Sequence, residues 1–462
     1  MTKFKNILIY GAGASGVLIK QLFDKNNLGN IIAFIDDNIS LNNKILVGIN
    51  IIHSSLIDNN FIALNNIKVI VLSNIKVHFN RSRFFKNFNL KILVPKDLDQ
   101  WIDGNLIPEN IIELDSSFLI NRRISENLDF KTLKNFENKK IIITGAAGSI
   151  GSEIVRQLNK LKNISLILLD INESGLHDLF LTLENKESCT FHVCDISNFQ
   201  ELERVILSYE KISSIFHAAA YKHVPIVEVD PYPAVRVNIQ GTLNLCILVK
   251  KYQISTFSLI STDKAVNPTN IMGASKRCAE LITNYYNNNN NNSLYRCTRF
   301  GNVIGSRGSA IPIFIDQIKK GGPVTLTHND MTRYFMTIPE ATQLVIKSSV
   351  LNVTGTIFIF DMGESIKLTE IIQNLISYYE ATDVKIKITG LRSGEKLYEE
   401  LNRSEEEIEL TSDKKINTIK SKPTTQILMN KINQFLIDYN EFNINELKEN
   451  LKNIIPEYNY KS

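Results

Sequence analysis

Lys140-Ile141-Ile142-Ile143-Thr144 runs directly into Gly145-Ala146-Ala147-Gly148-Ser149-Ile150-Gly151, after which Ser152-Glu153 continue into a helical pattern. The apolar run reads as a buried strand, and glycines between a strand and a helix let backbone amides approach a pyrophosphate at the helix N-terminus. The spacing is Gly-x-x-Gly-x-x-Gly, one residue longer between the first two glycines than the common dinucleotide fingerprint. The next strand, Leu166-Ile167-Leu168-Leu169, ends in Asp170. An acid there accepts from the adenosine ribose and repels a 2′-phosphate, which favours NAD and leaves NADP open.

More strand ends follow in order. Cys194-Asp195-Ile196 puts an acid where adenine would lie, and Ile215-Phe216-His217 leads into Ala218-Ala219-Ala220, small enough for a cofactor to rest on the backbone. Each piece has a plainer reading: alanines also permit tight helix–sheet packing, and a single His217 is more often a core residue than a catalyst. The succession of three strand ends is what points to a dinucleotide.

The run Phe257-Ser258-Leu259-Ile260 then delivers Ser261-Thr262-Asp263-Lys264 to a strand's carboxyl end, where open α/β sheets bind their ligands. A hydroxyl, an acid and a base side by side, with Lys276 on the next helix, are enough to move several protons and polarise an alcohol. The plainer reading makes Asp263 a helix cap and both lysines solvated. Beyond this stretch, Asn287 to Asn292 reads as a disordered surface turn. Arginines in the loops around Arg307, Arg333 and Leu391-Arg392-Ser393-Gly394-Glu395-Lys396 suit a diphosphate, which guanidinium groups bind bidentately.

Upstream, Asn6 to Tyr10 and Ile31 to Ile35 read as strands flanking Gly11-Ala12-Gly13-Ala14-Ser15-Gly16 and a helix to about Asp24, with Asp36 closing the second strand. This is the dinucleotide fingerprint in its expected setting. Val69–Leu72 and Lys91–Val94 add strands, but no catalytic constellation accompanies them. The expectation is an α/β chain with two Rossmann-like, doubly wound parallel-sheet domains. Residues 1–113 form the first, kept for a nucleotide or for packing and regulation; 114–138 form a charged, aperiodic linker; 139–462 form the second, ending in a substrate subdomain.

The 462 residues carry a net charge of +4, with Lys and Arg dispersed, so there is no electrostatic footprint for nucleic acid or a membrane surface. No apolar run approaches the roughly 18–20 residues that span a bilayer, and no signal-peptide pattern opens the chain. A cytoplasmic protein is expected. Cys189, Cys194, Cys246, Cys278 and Cys297 stand singly, as reduced core residues with neither disulfide nor metal-ligand spacing.

Taken together, Gly145 to Gly151, His217 to Pro225, Ser261 to Lys276, Arg299 to Ser306, Thr332 to Thr337 and Gly394-Glu395-Lys396-Leu397-Tyr398-Glu399-Glu400 resemble the UDP-N-acetylglucosamine 4,6-dehydratases among the extended short-chain dehydrogenase/reductases. The similarity runs through residues 139–462. It is closest to the large form used in capsule, O-antigen or protein-glycan synthesis, which has an extra nucleotide-fold domain before the catalytic one. Large members usually begin with membrane-spanning helices; this sequence shows none, and a soluble homo-oligomer, a dimer by analogy, is expected.

The resemblance implies that Gly145, Gly148, Ser149, Ile150, Gly151, Asp170, Asp195, Ile196, Ala218, Ala219, Ala220 and Lys276 hold NAD. It makes Lys222, His223, Asn302, Arg307, Arg333 and Glu395 candidate UDP-sugar contacts. Where the superfamily usually has the tyrosine of Tyr-x-x-x-Lys, this chain has Met272, with Lys276 retained one turn on. On this resemblance Thr262, helped by Lys276, is the candidate expected to handle the C4 hydroxyl proton; Asp263 would protonate the departing C6 hydroxyl, and Lys264, as a neutral amine, would remove the C5 hydrogen. Two other functions stand beside this one: a UDP-sugar 4-epimerase, and a nucleotide-sugar sensor in which Met272 marks lost chemistry.

Overall fold

The computed structural model describes residues 6–73, 88, 90–95, 111–113, 130–289, 292–353, 356–379 and 381–460. The chain divides into two compact units. One comprises residues 1–119 with 318–322 and 373–384; the other comprises 120–317, 323–372 and 385–462. Among the described residues no helix is long and apolar enough to cross a membrane.

The first unit is built on β1 (Asn6–Tyr10), β2 (Asn30–Asp36), β3 (Ile45–Leu46), β4 (Ile49–His53), β5 (Val69–Leu72), β6 (Lys91–Pro95) and β7 (Ile111–Glu113), in the spatial order β3-β4-β2-β1-β5-β6-β7. Alternate residues of each strand serve opposite faces. Ile7, Ile9 and Phe34 pack with Ile19, Leu22 and Phe23 of the helix Ala14–Lys25, while Leu8, Tyr10 and Ile35 pack with Ile62 on the other side. The central pairings are parallel, as expected; the edge pairs β3–β4 and β6–β7 are antiparallel.

The second unit contains β8 (Lys139–Thr144), β9 (Ile164–Asp170), β10 (Cys189–Val193), β11 (Ile212–His217), β12 (Thr256–Ile260) and β13 (Leu294–Arg299), ordered β10-β9-β8-β11-β12-β13. Strand Ile357–Phe360 joins β13 in parallel; Ile416–Lys420 and Glu407–Leu410 close the edge in antiparallel fashion. This is the 3-2-1-4-5-6 order of a doubly wound sheet, whose direction of winding reverses between β8 and β11. Ile142, Ile167 and Leu169 face one core, and Ile141, Ile143, Leu166 and Leu168 the other, so both faces of the strands are buried.

Two local features refine the sequence reading. Of the stretch expected as a linker, 114–129 lie outside the described residues, but Phe130–Lys134 is helical and Phe136 is buried against Phe216, at 6.1 Å between ring centroids. The asparagine run begins inside a helix, not a turn: Ile271–Asn288 is continuous, and Asn287 donates to Thr356 Oγ1 while accepting from the amide of Tyr295. Asn290 and Asn291 lie outside the described residues.

Candidate active site

The carboxyl ends of β8 and β11 form the cradle for a dinucleotide. Gly145 takes a φ of +66°, and a Cβ there would stand 2.5 Å from the Ala219 nitrogen, so only glycine lets the two strand ends meet. A Cβ on Gly151 would lie 2.1 Å from the carbonyl oxygen of Gly145, which brings the helix Ser149–Leu158 down onto the loop. That helix starts at Gly148 without a side-chain cap, leaving its first amides for an anion. Asp170 accepts from the amides of Ala147 (2.9 Å) and Asn172 (3.0 Å), fixing the loop to the end of β9 while keeping further lone pairs. Asp195 receives Ser197 through its amide and hydroxyl, and Ile196 packs on Gly241. Ala218 and Ala219 are half-buried and Ala220 is exposed. These are the features a bound dinucleotide needs.

The first unit repeats this design. Asp36 accepts from Ala12 (2.9 Å) and Asn38 (2.9 Å), and a Cβ on Gly16 would meet the Gly11 carbonyl oxygen at 2.1 Å.

His217 is buried between Thr144 (2.8 Å from Nδ1) and Thr242 (3.1 Å from Nε2). Thr242 gives its own proton to the Asn238 carbonyl, so Nε2 carries the ring proton and Nδ1 accepts. Burial, then Lys276, push its pKa well down, and it is a neutral core residue.

At the end of β12, Thr262 Oγ1 donates to Asp263 Oδ1 (2.8 Å) and accepts from the Lys264 amide (3.4 Å). Asp263 is 0% exposed. Its Oδ1 also receives Lys264 Nζ at 2.9 Å, while Oδ2 has no hydrogen-bond partner among the described residues. Lys264 Nζ reaches Asn302 Oδ1 at 3.2 Å. Lys276 is buried on the helix Ile271–Asn288, where desolvation lowers its pKa to about 8 against the opposing pull of Cys297 and Glu280. Met272, one turn earlier, is 2% exposed and joins the hydrophobic core.

The other predicted contacts divide. Arg307 is exposed, its amide bonded to Ser149 Oγ at 3.1 Å, and His223 packs its ring on Gly308 of the same loop, so His223, Lys222 and Arg307 stand beside the glycine loop. Arg333, read from sequence as a diphosphate ligand, is instead buried, with its donors on the carbonyls of Thr332 (2.7 Å), Leu397 (3.0 Å) and Lys396 (2.8 Å). Glu395 accepts from the Arg392 amide and caps its own turn.

Three residues that the sequence did not single out complete the site. Glu399, from the same motif as Glu395, is buried 3.9 Å from Lys264 Nζ. Asn238 lies in a π-helical turn, Val235–Gly241, where it bonds both backbone groups of Tyr221 and the hydroxyl of Ser275. Such turns occur often at functional sites. Glu280 accepts from Ser261 Oγ at 2.7 Å and so holds the residue just before Thr262.

A sheet wound in this order, with a hydroxyl, an acid and a lysine beside it at the end of β12, is the Rossmann-like framework of the extended short-chain dehydrogenase/reductases. Residues 141–421 match the polysaccharide biosynthesis protein family, and 6–77 match the PglD N-terminal domain. The chain belongs to the polysaccharide biosynthesis protein family. The capsular polysaccharide biosynthesis protein CapD of Staphylococcus aureus is 42% identical over 317 residues, covering 67% of this chain and 53% of its own length. The probable polysaccharide biosynthesis protein EpsC of Bacillus subtilis is 38% identical over 414 residues, 86% of this chain and 68% of its own. A UDP-glucose 4-epimerase of Rickettsia canadensis is 33% identical over 281 residues, 59% and 80% respectively. Among solved structures, Pen from Bacillus thuringiensis superposes with a TM-score of 0.57 at 32% identity, covering 63% of this chain and 89% of that one. The chain thus spans about half the length of CapD and two thirds that of EpsC.

Proposed function

We propose that the chain is a nucleotide-sugar 4,6-dehydratase that converts UDP-N-acetylglucosamine to its 4-keto-6-deoxy derivative for the synthesis of a capsule, O-antigen or protein-linked glycan. The observation that carries this reading is the hydrogen-bonded run Thr262–Asp263–Lys264, with a fully buried carboxylate offering one unpartnered oxygen. An acid and a base at C5–C6 have no task in epimerisation at C4.

NAD, once bound, supplies the redox chemistry by taking hydride from C4 and returning it to C6. Gly145, Gly148, Ser149, Ile150, Gly151, Asp170, Asp195, Ile196, Ala218, Ala219, Ala220 and Lys276 would hold it. The protein's own work is proton transfer. Thr262 takes the C4 hydroxyl proton as it passes its own to Asp263 along the 2.8 Å bond between them. Lys276, with a pKa near 8, assists that step as the helix-borne cation. The C4 ketone acidifies the C5 hydrogen, which Lys264 removes. Asp263 then protonates the departing C6 oxygen, which leaves as water, and Lys264 returns its proton to C5. The proton from O4 leaves with the water and the C5 proton is restored, so the cycle closes. Met272 has no proton to give, which assigns this first step to Thr262.

The test is mass spectrometry of the protein incubated with UDP-N-acetylglucosamine and NAD: a product lighter by one water is expected. The similarity to a 4-epimerase favours a second reading, for which the product would be an epimer of unchanged mass, resolved by chromatography. Intact substrate would count against both.

A further inference from the structure

Glu399 is a buried acid of the site to which the steps above give no task. Its Oε1 lies 3.9 Å from Lys264 Nζ and 3.8 Å from Arg333 Nε, its side chain is 4% exposed, and its Oε2 has no hydrogen-bond partner among the described residues. Asp263 Oδ2 is likewise buried and without a partner among them. A buried carboxylate oxygen without a donor is costly unless a ligand or a proton satisfies it. The loop that carries Glu399 is clasped to the stretch around Lys264: Thr269 and Asn270 donate to the Gly394 carbonyl, and Lys396 Nζ donates to the Val266 carbonyl. Asn267 Nδ2 donates to Glu400 Oε2 at 3.1 Å, so Glu399 is held at this position by contacts on both of its sides.

A lysine that removes a C5 hydrogen must first be a neutral amine. Burial pushes the Lys264 ammonium down, but the carboxylates of Asp263 and Glu399 outweigh burial and the net shift is upward, so the resting lysine is protonated. Its extra proton needs an acceptor within reach. Asp263 cannot serve, because the dehydration asks it to carry the proton relayed by Thr262.

We propose that Glu399 is the proton acceptor that makes Lys264 a base. A rotation of the Lys264 side chain closes the gap, one proton moves from Nζ to the Glu399 carboxylate, and the neutral amine then removes the C5 hydrogen. Once Lys264 has returned that hydrogen to C5, Glu399 gives its proton back, so nothing is gained or lost over a turnover. Glu399 acts through Lys264 and does not touch the sugar. The inference rests on the dehydratase reading. Burial, together with the neighbouring Asp263, raises the Glu399 pKa against the opposing charges of Lys264, Arg333 and Lys396, which suits a group that must accept a proton. Arg333 also opposes the Lys264 ammonium and aids its loss of a proton.

The experiment compares the full chain with Glu399→Gln, using UDP-N-acetylglucosamine and NAD in D2O across a pH series. It follows water loss, and deuterium at C5 of the product, by mass spectrometry. In the wild type, water loss is expected to fall as acid protonates Glu399. In Glu399→Gln it should drop at neutral pH by about 100-fold or more, with the KM for the sugar changed by no more than about threefold, and recover as rising pH strips Lys264 directly. A deficit equal at every pH, or no deficit, overturns the proposal. If Glu399→Gln does not fold by circular dichroism, Glu399→Asp decides: a displaced pH profile supports the relay, and a uniform loss overturns it. A wild type that loses no water at all defeats the dehydratase reading, a result distinct from parallel profiles of two active proteins.

Discussion

Arg299 and Glu280 form a two-armed ion pair, Nε to Oε1 and Nη2 to Oε2 at 2.7 Å each, and neither side chain has any solvent exposure. Arg299 ends β13 and also reaches Glu406 at 2.7 Å; Glu280, on the helix of Met272 and Lys276, also receives Arg277 and Ser261. Arg277 and Arg403 share Glu457 at 2.9 and 3.1 Å, so the cluster ties this helix to the C-terminal segment.

Removing Arg299 leaves the buried Glu280 with only Arg277 and Ser261, and Glu406 with only Arg403. Arg299→Ala is expected to destabilise the fold by about 3–5 kcal/mol, read as a lower urea midpoint by circular dichroism. Burial alone would raise the Glu280 carboxyl, but Arg299, Arg277 and Ser261 bring it from 4.5 to about 2. A carboxyl lowered on folding contributes stability that is fully present above pH 4.5 and is lost as pH falls through 2. That contribution is about 3 kcal/mol. The wild type should therefore weaken steeply across this window, and Glu280→Gln, already weaker at pH 7, should weaken less.

Lys276 has the opposite sign. Burial takes its pKa from 10.5 to about 8, so between those values the unfolded chain holds a proton that the folded one has released. Stability should rise with pH through that window in the cofactor-free protein. At neutral pH the buried ammonium costs about 3 kcal/mol, and Lys276→Met should raise the urea midpoint while abolishing turnover. A variant both less stable and inactive would make Lys276 a structural residue.

The strands and the two glycine loops were legible because each depends on residues adjacent in the chain: an apolar run, a tight turn, a helix start. The same holds for Thr262, Asp263 and Lys264, which one strand end presents together. Glu399 was not legible. It lies 135 residues beyond Lys264, in a motif with three acids, and only the clasp between Val266–Asn270 and the 394–400 loop decides that Glu399 faces inward while Glu395 caps a turn. Arg333 misled for a related reason: a loop arginine reads as a free cation until the carbonyls that occupy its guanidinium are known. The π-helical turn at Val235–Gly241 has the same apolar pattern as an α-helix and leaves no signal of its own.

Gly145 and Gly148 should respond unequally to the same methyl group. On Gly145 it would press on the backbone of Ala218 and Ala219 at 2.5–2.7 Å, in a left-handed conformation. Backbone cannot yield there, and the φ strain alone is about 1–3 kcal/mol. On Gly148 the nearest atom is the Gly145 carbonyl oxygen at 3.1 Å, and φ is an ordinary −75°. Gly145→Ala is expected to lower the melting temperature and abolish NAD binding by titration calorimetry. Gly148→Ala should melt near the wild type and weaken NAD by a smaller factor. Equal losses would show that the loop, not the meeting of β8 and β11, sets the cofactor site.

The groups after β12 should fail at two different steps, which separates the proton relay from the base. Asp263→Asn keeps the shape and the Thr262 contact but can neither take up the proton relayed from O4 nor give one to the departing C6 oxygen. C4 oxidation, deuterium entry at C5 in D2O and water loss should therefore fall together, water loss by about 100-fold or more. Lys264→Met removes the base, so both C5 exchange and water loss should disappear with NAD affinity unchanged. Thr262→Val removes the hydroxyl that relays the C4 proton, so oxidation, and every later step with it, should slow together. Full dehydratase activity in either the Asp263 or the Lys264 variant would overturn the assignment. Undiminished C5 exchange in Asp263→Asn would instead show that the O4 proton bypasses Asp263, although Thr262 donates to its Oδ1.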